Sequence, residues 1–211
     1  GYDITNSYTP GKTSITVTKA WDDNNNQDGL RKAVKVQLYA DGNPSGNEAT
    51  LNENNNWTYT WNDLAEKKSG KTIAYTVKES GVPEGYESVV SGDAKTGFTV
   101  TNSHTPETVS ISGSKTWSDN DNQDGKRPES ITVNLLANGT KVASKQVTEK
   151  DNWKYSFDNQ PKYESGKVIV YTVTEDAVAD YTTTISGYDI TNSYTPGKTS
   201  ITVTKAWDDN N

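Results

Sequence analysis

Lysine, glutamate and asparagine turn up in this sequence where a strand pattern calls for apolar side chains. In a β-strand successive side chains point to opposite faces, so residues two apart share a face. The run ITVTKAW places Ile15, Val17, Lys19 and Trp21 on one side, and KTIAYTVKE places Ile73, Tyr75, Val77 and Glu79 together. The run GFTVTNSH puts Phe98, Val100, Asn102 and His104 in phase. The same parity returns further along as Ile111, Gly113, Lys115 and Trp117, then Ile169, Tyr171, Val173 and Glu175, then Tyr188, Ile190, Asn192 and Tyr194.

An isolated buried ammonium or carboxylate costs several kcal/mol or more, so such groups on core faces need a partner. Burial lowers the proton affinity of an amine and raises that of a carboxyl, and a close pair can exchange a proton to become neutral amine and carboxylic acid. The neutral amine is a nucleophile. A protonated carboxyl beside a carboxamide would polarise its carbonyl and pass a proton to departing ammonia. The product would be a Lys to Asn amide crosslink, formed once per domain and driven by the high effective concentration of groups held in contact. The alternative is a buried Lys/Glu ion pair with Asn as hydrogen-bond partner, or a lysine whose head reaches solvent.

The elements that must position these groups are short strands arranged in repeats. Residues 1–25 recur unchanged as 187–211, a period of 187 − 1 = 186 residues. A looser repeat lies within it, KAWDDNNNQDG from Lys19 against KTWSDNDNQDG from Lys115, an offset of 115 − 19 = 96 residues. Thr-Pro links near Pro106 and Pro196 mark boundaries, because proline cannot donate to a central ladder. The organisation expected is a last strand of a preceding repeat in 1–10, domain one in 11–106, domain two in 107–196 and the first strand of a following repeat in 197–211. Asn6 and Lys205 are the crosslink candidates of those terminal strands. Strand signals in domain one are ITVTKAW, AVKVQLYA, NWTYTW, KTIAYTV, YESVV and FTVTN, with DGNPSGN read as a turn cluster. The fold class expected is all-β, a tandem pair of sandwiches.

Composition agrees and excludes other classes. Only 30% of the 211 residues are hydrophobic, with 6 Trp and 12 Tyr against 2 Phe, so each core must be thin and rich in strand-forming residues. The absence of cysteine removes disulfides and thiol chemistry. A net charge of −7 without a basic cluster argues against nucleic acid, and no apolar run approaches a spanning helix. Neither a signal peptide nor an anchor is recognisable, so the sequence reads as a fragment. The DDNNNQDG stretch misses the calcium-loop spacing and reads as a surface loop capping its own turns; no metal or cofactor is expected. Trp57, Trp61 and Trp153 could form a sugar-stacking platform, but Trp57 and Trp61 share parity with Tyr59 and read as core. His104 is a lone histidine, insufficient for a triad. Catalysis on an external substrate is not expected.

The motifs KxWxDxxNQDG after the first strand, YTVKESGVPEGY and YTVTEDAVADY around the glutamates, and TNSHTP and TNSYTP closing each domain resemble the Cna B-type domains, the B-repeats of collagen adhesins in Gram-positive surface proteins. The resemblance implies inverse immunoglobulin-like, prealbumin-type sandwiches and a Lys to Asn isopeptide bond assisted by Glu: Lys19, Glu79 and Asn102 in domain one, Lys115, Glu175 and Asn192 in domain two. It departs at Leu30, Arg31 and Lys32, where domain two has Lys126, Arg127 and Pro128, and in the absence from domain two of the PxGY seen at Pro83 to Tyr86. These departures bear on loop conformation. The function expected is a structural stalk on the bacterial cell wall, whose partners are adjacent repeats, with host matrix met by a separate head domain. Two rivals are a module that itself grips a host ligand, and a strand-swapped fibre subunit.

Overall fold

The computed structural model describes residues 1–210. The chain divides into two compact units, 1–107 together with 161–168, and the rest of 108–210. In the first repeat the strands are β1 (Lys12–Asp22), β2 (Val34–Ala40), β3 (Asn43–Leu51), β4 (Thr58–Ala65), the short β5 (Lys67–Lys68) and β6 (Lys71–Thr72), β7 (Tyr75–Ser80), β8 (Glu87–Asp93) and β9 (Gly97–Ser103). A four-stranded sheet, β4-β1-β9-β8, faces a three-stranded one, β3-β2-β7. The second repeat has β10 (Thr108–Ser118), β11 (Ser130–Ala137), β12 (Thr140–Thr148), β13 (Lys154–Pro161), β14 (Tyr163–Glu164), β15 (Lys167–Val168), β16 (Tyr171–Glu175), β17 (Thr182–Ser186) and β18 (Asp189–Ser193). Its main sheets repeat the order, β13-β10-β18-β17 and β12-β11-β16.

The first and last strands of each repeat lie side by side and parallel. In β1 and β9, Lys19 pairs with Val100 and Trp21 with Asn102. In β10 and β18, Lys115 pairs with Ile190 and Trp117 with Asn192. A parallel pair needs a long crossover, and here the whole intervening domain supplies it. Side chains of both sheets interdigitate in a single thin core per repeat, Ile15, Val17, Val36, Leu38, Leu51, Trp61, Val77 and Val100 in the first, and Ile111, Val133, Leu135, Val147, Phe157, Val173 and Ile190 in the second.

Two local expectations are corrected. DGNPSGN is not a turn cluster: only Asp41 and Gly42 turn, both left-handed (φ 48° and 80°), and Asn43 onward forms β3. Two left-handed residues match the twist of a two-residue hairpin, and Pro44 is tolerated because β3 is an edge strand. Among the described residues, 1–10 and 197–210 form no strand, and Asn6 and Lys205 are exposed; Asn211 lies outside the described residues.

Tyr59 is not a core residue either. It lies opposite Val17, which is fully buried, and its ring is displaced outward to 39% exposure. At the corresponding place of the second repeat, Gly113 leaves the space that Val17 fills, and Tyr155 folds inward to 4% exposure, its hydroxyl donating to the Tyr188 carbonyl. Trp61 is buried as expected, while Trp57 and Trp153 are partly buried and stand in left-handed turns before β4 and β13.

Candidate functional site

Parity delivers the six singled-out side chains to the interior. Lys19, Glu79, Asn102, Lys115 and Asn192 are between 0% and 6% exposed, and the Glu175 side chain is 0% exposed. Lysine and asparagine sit one pleat apart on the same face of neighbouring parallel strands. Glutamate comes from the opposing sheet, on β7 or β16, where it pairs with Val36 or Val133. Each site is thus built across the sandwich from three strands distant in sequence.

The two sites differ in which partner the glutamate holds. In the first, the Asn102 amide Nδ2 donates to Glu79 Oε1 at 2.9 Å, while Lys19 Nζ donates to the carbonyls of Ala20 (2.9 Å) and Val100 (3.2 Å). In the second, Lys115 Nζ donates to Glu175 Oε1 at 2.6 Å. The carbonyl oxygen of Asn102 and both polar atoms of Asn192 have no hydrogen-bond partner among the described residues. Buried carboxamides in that state are costly.

Desolvation governs the amines. Burial pulls Lys19 down from 10.5 to about 8, against the opposing pull of Glu79 and Asp23. Burial likewise lowers Lys115, opposed by its bond to Glu175. Each Nζ stands 4.2 Å from the centre of the tryptophan two residues on, Trp21 or Trp117. Those rings meet a second tryptophan and a tyrosine edge-on, Trp57 and Tyr86 in one site, Trp153 and Tyr181 in the other. The result is an aromatic cover over the amine.

A clamp behind this cover escaped sequence reasoning. Asp23, 2% exposed, accepts from Arg31 Nε (2.8 Å) and Nη2 (2.6 Å), from Tyr86 Oη (2.7 Å) and from the Asn26 backbone amide (2.9 Å). Asp119 does the same with Arg127, Tyr181 and Asn122. Burial would raise the Asp23 carboxyl, but these donors, Arg31 foremost, hold it at about 2. The DDNNNQDG loop does cap its own backbone, Asp23 Oδ1 accepting from the Asn26 amide and Asn26 Oδ1 from the Arg31 amide, around three successive left-handed residues, Asn24, Asn25 and Asn26. It also cages an arginine. Arg31 stands at the offset of Arg127 and Tyr86 plays the part of Tyr181, so the departures at Leu30 to Lys32 and in the PxGY segment leave the clamp unchanged. An NQDG loop followed two residues on by arginine, with a tyrosine after the glutamate strand, was the available signal.

His104, in phase with Asn102, joins no catalytic group. Its Nε2 contacts Asp28 Oδ2 at 2.9 Å and its Nδ1 the Gly85 carbonyl at 2.7 Å, and the Glu107 amide donates to the same Asp28 oxygen.

Fold and site together define a class: tandem β-sandwiches, each enclosing a lysine and an asparagine on parallel terminal strands under a glutamate from the facing sheet. The Cna protein B-type domain matches residues 15–103 and 111–193. The chain belongs to this family. It is 60% identical over 212 residues to a collagen adhesin of Staphylococcus aureus, a match covering 100% of this chain and 18% of that relative. It is also similar to the crystal structure of two B repeat units (B1B2) of the collagen binding protein of Staphylococcus aureus, with a TM-score of 0.85 and 57% identity over 90% of this chain and 51% of that one. The chain therefore spans less than a fifth of the length of the curated relative.

Proposed function

We propose that this chain is part of a stalk on a bacterial cell wall, in which the domains at 11–106 and 107–196 each seal themselves with an amide bond, Lys19 to Asn102 and Lys115 to Asn192. The observation that carries the reading is the burial, twice over, of a lysine with lowered proton affinity beside a carboxamide whose carbonyl oxygen is unpartnered. Glu79 and Glu175 each take a proton from the amine, the neutral Nζ attacks Cγ of the asparagine, and the C–Nδ2 bond breaks as the carboxyl hands that proton to Nδ2. The second proton shed by Nζ passes by the same carboxylate to the ammonia, which leaves as ammonium. Each glutamate ends as it began, so the chain turns over once and is no enzyme.

The bonds would close loops of 102 − 19 = 83 and 192 − 115 = 77 residues, worth roughly 4 to 5 kcal/mol by chain-entropy reasoning. A stalk of such modules would hold a separate head, and any contact with host matrix such as collagen would belong to that head. Intact-mass spectrometry of the folded chain tests the reading: each bond removes one ammonia, about 17 Da, and the sequence mass unchanged would refute it.

A further inference from the structure

Each of the two outer strands beside the asparagine, β8 and β17, turns a single side chain away from solvent. In β8 it is Ser88, in β17 it is Thr183, and every other residue of those strands is exposed. Ser88 lies directly opposite Asn102 in the ladder and Thr183 directly opposite Asn192. Directly opposed side chains share a face at about 5 Å, so the hydroxyl is delivered to the site by register. Ser88 Oγ donates to Glu79 Oε2 at 2.6 Å, and Thr183 Oγ1 to Glu175 Oε2 at 2.8 Å.

In both sites the other carboxyl oxygen, Oε1, faces a reacting group. It accepts from the asparagine amide in the first domain and from the lysine amine in the second. One atom is thus found with each of the two groups between which a proton must pass. A glutamate carboxyl turns readily about its last torsion, and such a turn would exchange the two oxygens.

We propose that Ser88 and Thr183 are positioning residues of the crosslinking reaction: by holding Oε2 they make Oε1 the oxygen that takes the proton from the lysine and hands it to the departing asparagine nitrogen. The inference rests on the crosslinking reading above. One proton leaves Nζ for Oε1, the neutral Nζ bonds to Cγ, and the proton on Oε1 goes to Nδ2 as the Cγ–Nδ2 bond breaks and ammonia departs. The second proton that Nζ sheds on becoming an amide passes through Oε1 to that ammonia, which leaves as ammonium. The hydroxyl keeps its own proton throughout and touches neither reacting atom.

The test follows bond closure in the newly synthesised full chain by pulse–chase, with the loss of ammonia assigned to each domain by peptide mass mapping. Ser88→Ala should slow closure in domain one about tenfold, the scale of a lost hydrogen bond to a charged group, while domain two closes at the parental rate and serves as the internal clock. Thr183→Val, which keeps the shape of threonine, should do the reverse, and it carries the test if Ser88→Ala does not fold by circular dichroism. The exchanges Ser88→Thr and Thr183→Ser keep a hydroxyl and should restore the rate. Closure at the parental rate in Ser88→Ala and Thr183→Val, or slowing that the hydroxyl exchanges do not rescue, overturns this inference alone. A parent chain that loses no ammonia overturns the crosslinking reading and this inference with it.

Discussion

The Lys19 amine stands 4.2 Å from the centre of the Trp21 ring, on the same face of the same strand. That ring is itself braced edge-on by Trp57 and Tyr86, with the Arg31 guanidinium 5.7 Å from it. Aromatic faces attract cations, yet they exclude water, and the second effect wins at Lys19, whose proton affinity falls. The cover therefore favours the reactive form of the amine.

In an Asn102→Ala chain, which cannot close the first bond, Lys19 remains free and should titrate near 8 instead of 10.5. Below about 8 both folded and unfolded chains carry the proton and the burial penalty is felt in full. Between about 8 and 10.5 the unfolded chain binds the extra proton, so stability should rise with pH across that window. The gain is no more than about 3 kcal/mol, and less to the extent that water screens the amine. Denaturant unfolding of this variant at several pH values measures it; a flat profile from 8 to 10.5 would contradict the burial argument.

Glu79→Gln keeps the shape of the site but removes its proton carrier. The chain should then lose one ammonia where the parent loses two, with the remaining loss mapped to Lys115 and Asn192, and Glu175→Gln should give the mirror result. Closure of both bonds in Glu79→Gln would rule out the glutamate as carrier.

The Asp23 clamp predicts an acid weakness. Its carboxyl sits at about 2 in the folded chain against 3.8 unfolded, so its contribution is present above pH 4 and disappears as pH falls toward 2. The amount is about 2 kcal/mol at most. Asp23→Asn should lower the thermal midpoint at neutral pH and erase that part of the acid transition, as differential scanning calorimetry can show. An acid profile identical to that of the parent would mean the clamp contributes nothing.

Gly113→Ala should destabilise domain two alone. A Cβ there would stand 1.9 Å from the Tyr188 carbonyl oxygen and 2.7 Å from Tyr155 Oη, and the first of these is backbone that cannot swing aside. Overpacking of this kind costs about 1 to 3 kcal/mol, read as a lower denaturant midpoint for the tryptophan signal of that domain. A midpoint within error of the parent would show that β10 and β18 can part without loss.

Strand parity was enough to place Lys19, Glu79, Asn102 and their counterparts inside, because long polar side chains are anomalous on an apolar face. It could not reveal that lysine and asparagine would be neighbours, since the parallel pairing of β1 with β9 joins segments 83 residues apart. Ser88 and Thr183 gave no signal because small hydroxyl residues suit either face of a strand. Tyr59 and Tyr155 share one parity and end on opposite sides of the solvent boundary, a choice made by Val17 or Gly113 across the ladder. The β3 strand hid behind its glycine, proline and asparagine content, which an edge strand tolerates.

Because β1 and β9 run in the same direction, a pull on the start of one and the end of the other slides the two past each other lengthwise. Every rung from Val17 with Phe98 to Asp22 with Ser103 then resists at once, instead of yielding one after another as the teeth of a zip do. The sandwich is thereby arranged to withstand traction along its own strands even before any covalent bond joins them.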